Sequence, residues 1–468
     1  MRFSGRQDAA ATTGAQVSKE EAREEIARIQ AGARTADHQD SAAQHEHYTR
    51  VLGAELARVR EYVMARIDTS LLQQLPRKTI LTELGTVVEE AADEFRLELN
   101  SSEQETIAST IVDDMVGNGP MEALLEDDTV TEVMVNGPRR IYVERAGRTY
   151  MSDVVFRDEA HLLTVAKRIA RGVGRTLDEQ RPYVDARLAD GSRVNIVIPP
   201  IALDGTAISI RKFPRDALSM RDLQRFGALS AEMAQFIEAI AASRCNVLVS
   251  GGTSSGKTTL LNTLGEFIRP TERVVTIEDS AELKIKVGNL VRLETKPGTA
   301  ESGSRPVTQR DLVANSLRMR PDRIILGEVR KEEAFDLLQA MSTGHDGSMG
   351  TLHSNSPRDT TSRLENMILM GGVDLPTRVI RAQIVSAVDF IVHAARGADG
   401  RRRVTNITEV TGLEGETIAL QDVFYHERET GDFVASPVNL RAGYKLKEYG
   451  WYERAMNAVL SSPRPSET

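Results

Sequence analysis

The chain has one cysteine, Cys245, in 468 residues. No intramolecular disulfide can form, and no four-cysteine zinc module can be built. The thiol opens a short apolar run, which predicts a buried and inert side chain. Aromatic residues are scarce at 4%, so no platform for stacking successive bases is evident. No apolar run approaches the roughly 18 residues that a membrane-spanning helix needs. The start, Met-Arg-Phe-Ser-Gly-Arg-Gln-Asp, lacks the apolar core of a secretory signal. A cytoplasmic location is the expectation. Basic excess is missing too: 59 Lys and Arg face 68 Asp and Glu, a formal net charge of −9. Proteins that grip a nucleic-acid backbone usually carry a basic excess or stripe, so no nucleic-acid partner is expected. The 40% hydrophobic and 27% charged content is ordinary for a globular protein. The length allows about two to four domains.

Against these absences stands one dense motif. Residues 251–258 read Gly-Gly-Thr-Ser-Ser-Gly-Lys-Thr, directly after Asn-Val-Leu-Val-Ser and ahead of Thr-Leu-Leu-Asn-Thr-Leu. A strand, a glycine loop and a helix in that order form a phosphate cradle. Gly251 and Gly256 let the backbone turn tightly around an anion. The N–H groups of Gly252, Thr253, Ser254 and Ser255 and the start of the helix then point inward. Lys257 supplies a point charge for the β- and γ-phosphates, and Thr258, next to Thr259, offers a hydroxyl to magnesium. The chain is expected to bind a nucleoside triphosphate.

Periodicity divides the rest. Residues 1–50 are polar and poor in large apolar side chains, which predicts disorder. Apolar residues recur every three to four positions through 51–125, predicting a small bundle of three helices. Residues 126–222 carry short strands around Asn136-Gly137-Pro138, Ala146-Gly147 and Asp190-Gly191, with one helix near His161–Ile169, which reads as an α+β domain. From 223 to 455 apolar strands alternate with helices, the pattern of a doubly wound α/β unit. Beyond about 389 only short strands and a helix near Glu453–Leu460 are expected, and 456–468 read as a tail.

Three further segments carry chemistry. Val-Val-Thr-Ile-Glu-Asp sets Glu278 and Asp279 at the carboxyl end of a strand, where ligands sit in open α/β sheets. These acids suit magnesium, through water, or a nucleophilic water. Arg323-Ile-Ile-Leu-Gly-Glu-Val-Arg330 is a Walker-B-type strand with Gly327 at the usual aspartate position. Glu328 is then the candidate to activate water or to bind magnesium through water. Gly344-His-Asp-Gly-Ser-Met-Gly-Thr-Leu-His-Ser-Asn355 places His353 at a strand end, within reach of a γ-phosphate. Taken singly, such a histidine is more often a structural group, and a strand ending in Glu is common.

Together, and in this order, the segments resemble the secretion ATPases of type II and type IV secretion and of type IV pili. Gly251–Thr259 matches their Walker A box, Thr276–Glu282 the Asp box, Ile324–Arg330 the atypical Walker B box and Thr343–Asn355 the His box. Within that family the chain looks most like the tight-adherence (Tad) pilus assembly ATPases, the CpaF-like branch. Arg318–Arg330, Thr343–Gly350 and Asp185–Asn195 carry that likeness. The resemblance implies a RecA-like ATPase domain behind an α+β domain, a Mg-dependent ATP hydrolase and a homohexamer. It implies inner-membrane platform proteins as partners, and a location at the cytoplasmic face of the inner membrane. It also implies arginines of the α+β domain that reach the triphosphate, here Arg187, Arg193 and Arg211. The lone cysteine departs from branches that carry a tetracysteine zinc module. A type IV secretion traffic ATPase is the alternative within the family, and a RecA-like nucleic-acid motor a distant one. A nucleotide-sensing scaffold that does not hydrolyse is disfavoured by the intact Lys257, Glu278 and Glu328.

Overall fold

The computed structural model describes residues 58–63, 65–66, 77–145, 147–188, 190–213, 217–296 and 305–464. The segment 1–50, expected to be disordered, lies outside the described residues.

The first layer is helical. Residues 58–63 and 65–66 are helical, followed by α1 (Arg77–Phe95) and α2 (Ser101–Met115). Val59, Val63, Ile80, Leu84, Val88, Ile107 and Ile111 close one apolar core between them, as their three-to-four spacing demands. Asn100 and Glu103 start α2 with a capping box. A short helix, α3 (Glu122–Glu126), leads out of this layer.

The second layer is a six-stranded sheet. Its strands are β1 (Val130–Asn136), β2 (Ile141–Arg145), β3 (Arg148–Met151), β4 (Tyr183–Arg187), β5 (Arg193–Val197) and β6 (Ala207–Arg211). Their order is β3-β2-β1-β6-β5-β4, with antiparallel pairing throughout. Helix α4 (Glu159–Gly172) covers one face through Leu162, Val165, Ala166 and Ile169. Val194, Ile196, Ile208 and Ile210 point to that core, so the alternate residues of β5 and β6 occupy the other face. Arg168 donates to the carbonyls of Asp114 and Met115, at 2.9 and 3.0 Å, and so ties α4 to the end of α2.

The third layer is a nine-stranded sheet whose order along the sheet, by residue, runs Phe433–Ala435, Thr417–His426, Arg402–Glu414, Phe390–Arg396, Val247–Gly251, Met349–His353, Arg323–Leu326, Arg273–Glu278 and Asn289–Glu294. The strands β7 (Val247–Gly251), β8 (Arg273–Glu278), β9 (Asn289–Glu294), β10 (Arg323–Leu326), β11 (Met349–His353) and β12 (Phe390–Arg396) run parallel. Helices bury both faces, which is why the central strands read as unbroken apolar runs. On one face lie α5 (Met220–Arg225), α6 (Ala231–Ala242) and α7 (Lys257–Gly265). On the other, α8 (Gln309–Ser316), α9 (Glu333–Ser342), α10 (Pro357–Met370) and α11 (Thr377–Ala387) contribute to the core. The architecture is α/β: a largely parallel sheet covered by helices on both faces, preceded by an α+β layer and a helical one.

Two features differ from expectation. The weak region after 389 forms β13 (Arg402–Glu414) and β14 (Thr417–His426), strands of 13 and 10 residues, with β15 (Phe433–Ala435) beside them. Register shifts at Ile407/Thr408 and Val410/Gly412 break their alternation, which is why the pattern reads as short pieces. After α12 (Gly443–Glu448), helix α13 (Tyr452–Ser461) buries Ala455, Ala458 and Val459 in the same core as α6. Residues 456–461, read from the sequence as tail, thus belong to the packed body.

Candidate active site

Strand β7, buried along its whole length, delivers Gly251 to the carboxyl edge of the sheet. Gly251 has φ +156°, and a Cβ there would meet the Ala394 carbonyl of β12 and lie 2.5 Å from Ser255 Oγ. Only glycine fits that approach. The loop then passes through the left-handed region at Ser254 (φ +56°) and Gly256 (φ +96°). Gly256 caps α7 without any side-chain hydrogen bond, so the first amides of α7 remain available to an anion. Thr258 and Thr259 sit half-buried in its first turn. Ser255 Oγ is buried and has no partner within the protein, as befits a loop shaped around a polar ligand.

Lys257 Nζ donates to the Gly252 carbonyl at 2.8 Å and stands 3.3 Å from His353 Nδ1. His353, at the end of β11, donates from Nε2 to Glu328 Oε1 at 2.9 Å. Glu328 Oε2 accepts from Arg330 Nη2 at 2.5 Å, and Arg330 Nη1 lies 3.5 Å from Asp279 Oδ2. Lys257, His353, Glu328, Arg330 and Asp279 thus form one row along the strand ends. Burial pushes the Glu328 carboxyl up, but the Arg330 hydrogen bond and the charges of Arg330, His353 and Lys257 outweigh it, and the carboxyl is held below its usual range. Burial and then Lys257 lower the His353 imidazole. Burial lowers Lys257 as well, with Glu328 opposing.

Glu278 is placed differently. It is 3% exposed, and its Oε1 accepts from the Glu282 and Leu283 amides at 2.8 and 2.9 Å. Oε2 is buried without a partner. Burial raises this carboxyl to about 7 despite the two amides. Of the two Asp-box acids, Asp279 joins the row at the phosphate loop and Glu278 turns inward.

The arginines are assembled by register. Arg187 faces Arg193, Arg193 faces Arg211 and Arg211 faces Glu132 across β4, β5, β6 and β1. Arg187 donates to Glu294 Oε2 and to the Ala281 carbonyl, both at 2.8 Å. Arg193 Nε lies 3.1 Å from Glu282 Oε1. Both therefore cross from the second layer to the Asp-box segment. Arg211 sits 3.8 Å from Glu132, and its charge depresses Lys257.

Two further residues, one on the phosphate loop and one on the strand leading into it, carry no local signal in the sequence. Arg402, opening β13, donates from Nε to the Ser254 carbonyl at 2.9 Å. His393 on β12 pairs through Nδ1 with Ser250 Oγ at 2.8 Å, and burial pushes its imidazole down to about 4. Each is more than a hundred residues from its partner, and only the pairing of β12 with β7 brings His393 level with Ser250. Among the described residues, no helix is long and apolar enough to cross a membrane.

The sequence profile of the type II/IV secretion system proteins matches residues 114–423. A Mycobacterium tuberculosis protein named provisionally for conjugal transfer is 36% identical over 329 residues, covering 69% of this chain and 92% of that one. The type IV secretion system protein VirB11 of Brucella suis is 33% identical over 318 residues, covering 62% and 88%. The crystal structure of the VirB11 ATPase from the Brucella suis type IV secretion system, in complex with sulphate, matches with a TM-score of 0.34 at 30% identity, over 62% of this chain and 94% of that one.

Proposed function

The chain belongs to the type II/IV secretion system protein family, the secretion ATPases, and on that premise we propose that it hydrolyses ATP as a hexameric motor for assembly of Tad-type pili. The observation that carries the chemistry is the row from Lys257 to Asp279 beside the glycine cradle. The amides of Gly252 to Lys257 and the start of α7 hold the phosphates, and Lys257 exchanges the Gly252 carbonyl for them. Thr258 and, through water, Glu328 suit a magnesium ion that arrives with the nucleotide; bound there, it would neutralise phosphate charge. The ionised Glu328 orients the attacking water and takes its proton, while His353 links that carboxylate to Lys257 and so to the phosphates. Arg187, Arg193 and Arg211 bring the second layer to the nucleotide side, so that γ-phosphate loss releases one wall of the site.

The Tad reading rests on the segments Arg318–Arg330, Thr343–Gly350 and Asp185–Asn195, while the lone Cys245 suits both it and the type IV secretion branch. It implies inner-membrane platform proteins as partners and a position at the cytoplasmic face of that membrane. A type IV secretion traffic ATPase is the second reading, favoured by relatives named for conjugal transfer and type IV secretion. Steady-state phosphate release by the purified chain, with and without magnesium, tests the enzymatic claim, and absence of turnover in the ring form refutes it. Deletion of the gene and imaging of surface pili separates the two readings: lost pili support the first, and intact pili with lost substrate transfer the second.

A further inference from the structure

Gly327 stands where Walker B strands commonly carry aspartate, and nothing in its backbone asks for glycine. Its φ lies outside the left-handed region. Its amide donates to the Ile277 carbonyl of β8 at 2.9 Å, in continuation of the parallel register that sets Leu326 against Ile277. What excludes a side chain is space: a Cβ on Gly327 would lie 2.7 Å from Glu278 Cγ and 3.2 Å from Glu278 Oε1. Glu278 in turn holds the amides of Glu282 and Leu283. Arg187 and Arg193 grip that same segment from outside, at the Ala281 carbonyl and the Glu282 carboxylate. One buried side chain therefore touches both the segment gripped by the second layer and Gly327, which links the end of β10 to Glu328.

We propose that Glu278 is a positioning residue that forms a steric pair with Gly327, its stem setting the place of Glu328 and its Oε1 fixing the arginine-gripped segment 281–283. This rests on the ATPase reading for its kinetic consequences, and on geometry alone for its structural ones. A base or a metal ligand needs the carboxylate; a positioning group needs the volume and one acceptor oxygen. Glutamine keeps both, and alanine keeps neither.

The test uses the full chain and measures kcat and KM for ATP, ADP binding by calorimetry, and hydrogen exchange at the Glu282 and Leu283 amides. Glu278→Ala is expected to lower kcat about tenfold to 10²-fold, the scale of a misplaced reacting group, with KM within about threefold. Exchange at the two amides rises. Glu278→Gln restores kcat to within about threefold of the unaltered chain and restores amide protection. Gly327→Ala loses about as much as Glu278→Ala, and adds little in the Glu278→Ala background because the clash is gone. Loss of turnover in Glu278→Gln equal to that in Glu278→Ala, with the amides still protected, would overturn the proposal in favour of carboxylate chemistry. Additive losses from Gly327→Ala and Glu278→Ala would overturn the steric pair. Exchange reads the same contacts without turnover. A chain that fails to hydrolyse ATP yet loses protection in Glu278→Ala and regains it in Glu278→Gln would refute the ATPase reading and keep the pair.

Discussion

The outer row at the strand ends and the buried tier beneath it use the same residue types to opposite effect. Outside, Glu328 is ringed by cations and held below its usual range, and half-exposed His353 is wired to Lys257 and Glu328. Beneath, Glu278 faces backbone amides and rises to about 7, and His393 is buried against Ser250 and falls to about 4. Cations keep one glutamate charged. Burial favours the neutral forms of the other glutamate and of His393. Placement across a single strand end thus decides whether such a group stays charged beside the phosphate loop or is driven neutral within the frame. Outer substitutions should change rate or affinity and leave stability nearly alone. Inner ones should change position, or stability with pH.

The sharpest break comes at Glu328. Glu328→Gln should bind ATP, melt at nearly the unaltered temperature and turn over about 10²–10⁴-fold more slowly, the usual contribution of a positioned general base. A fall in stability without a fall in kcat would move Glu328 into the inner tier. Next is Lys257→Ala, which keeps the loop amides but removes the mobile cation. Calorimetry should show ATP binding weakened by about tenfold or more, as expected for a lost charge-assisted contact; tight binding would contradict the assignment.

Arg193→Ala and Arg211→Ala should fold and bind ADP, yet lose most hydrolysis, about tenfold or more by the same reasoning on charged contacts. Unchanged rates in both would mean that the second layer closes on the site through other groups. The smallest effect belongs to His393. Its folded value of about 4 lies below the ordinary 6.5, so between those pH values the unfolded chain binds more protons. Its contribution to stability is full above about pH 6.5 and is lost as pH falls toward 4. Each unit of separation is worth about 1.4 kcal/mol. Melting curves of His393→Gln, which keeps an acceptor for Ser250, should show a shallower decline over that window, and an unaltered slope would remove His393 from the buried tier.

How much of this could be seen in the chain alone varies with distance. Residues 251–258 are contiguous and need glycine where the backbone turns, so the cradle was readable directly. The strands that lead to Glu278, Glu328 and His353 were readable because parallel strands covered on both faces are unbroken apolar runs. The direction of each acid was not, since Glu278 and Asp279 differ only in which side of the strand end they take. The arginine row depends on the register of three strands, which no local pattern fixes. His393 and Arg402 depend on long-range pairing, and β13 and β14 were fragmented by their bulges.

The most direct test sets two glutamines side by side. Glu328→Gln and Glu278→Gln are measured for single-turnover ATP hydrolysis under saturating nucleotide. Glu328→Gln should collapse, by about 10²–10⁴-fold, and Glu278→Gln should keep a rate within about threefold of the unaltered chain. The reverse pattern, near-normal turnover without the Glu328 carboxylate and collapse without that of Glu278, would contradict this assignment.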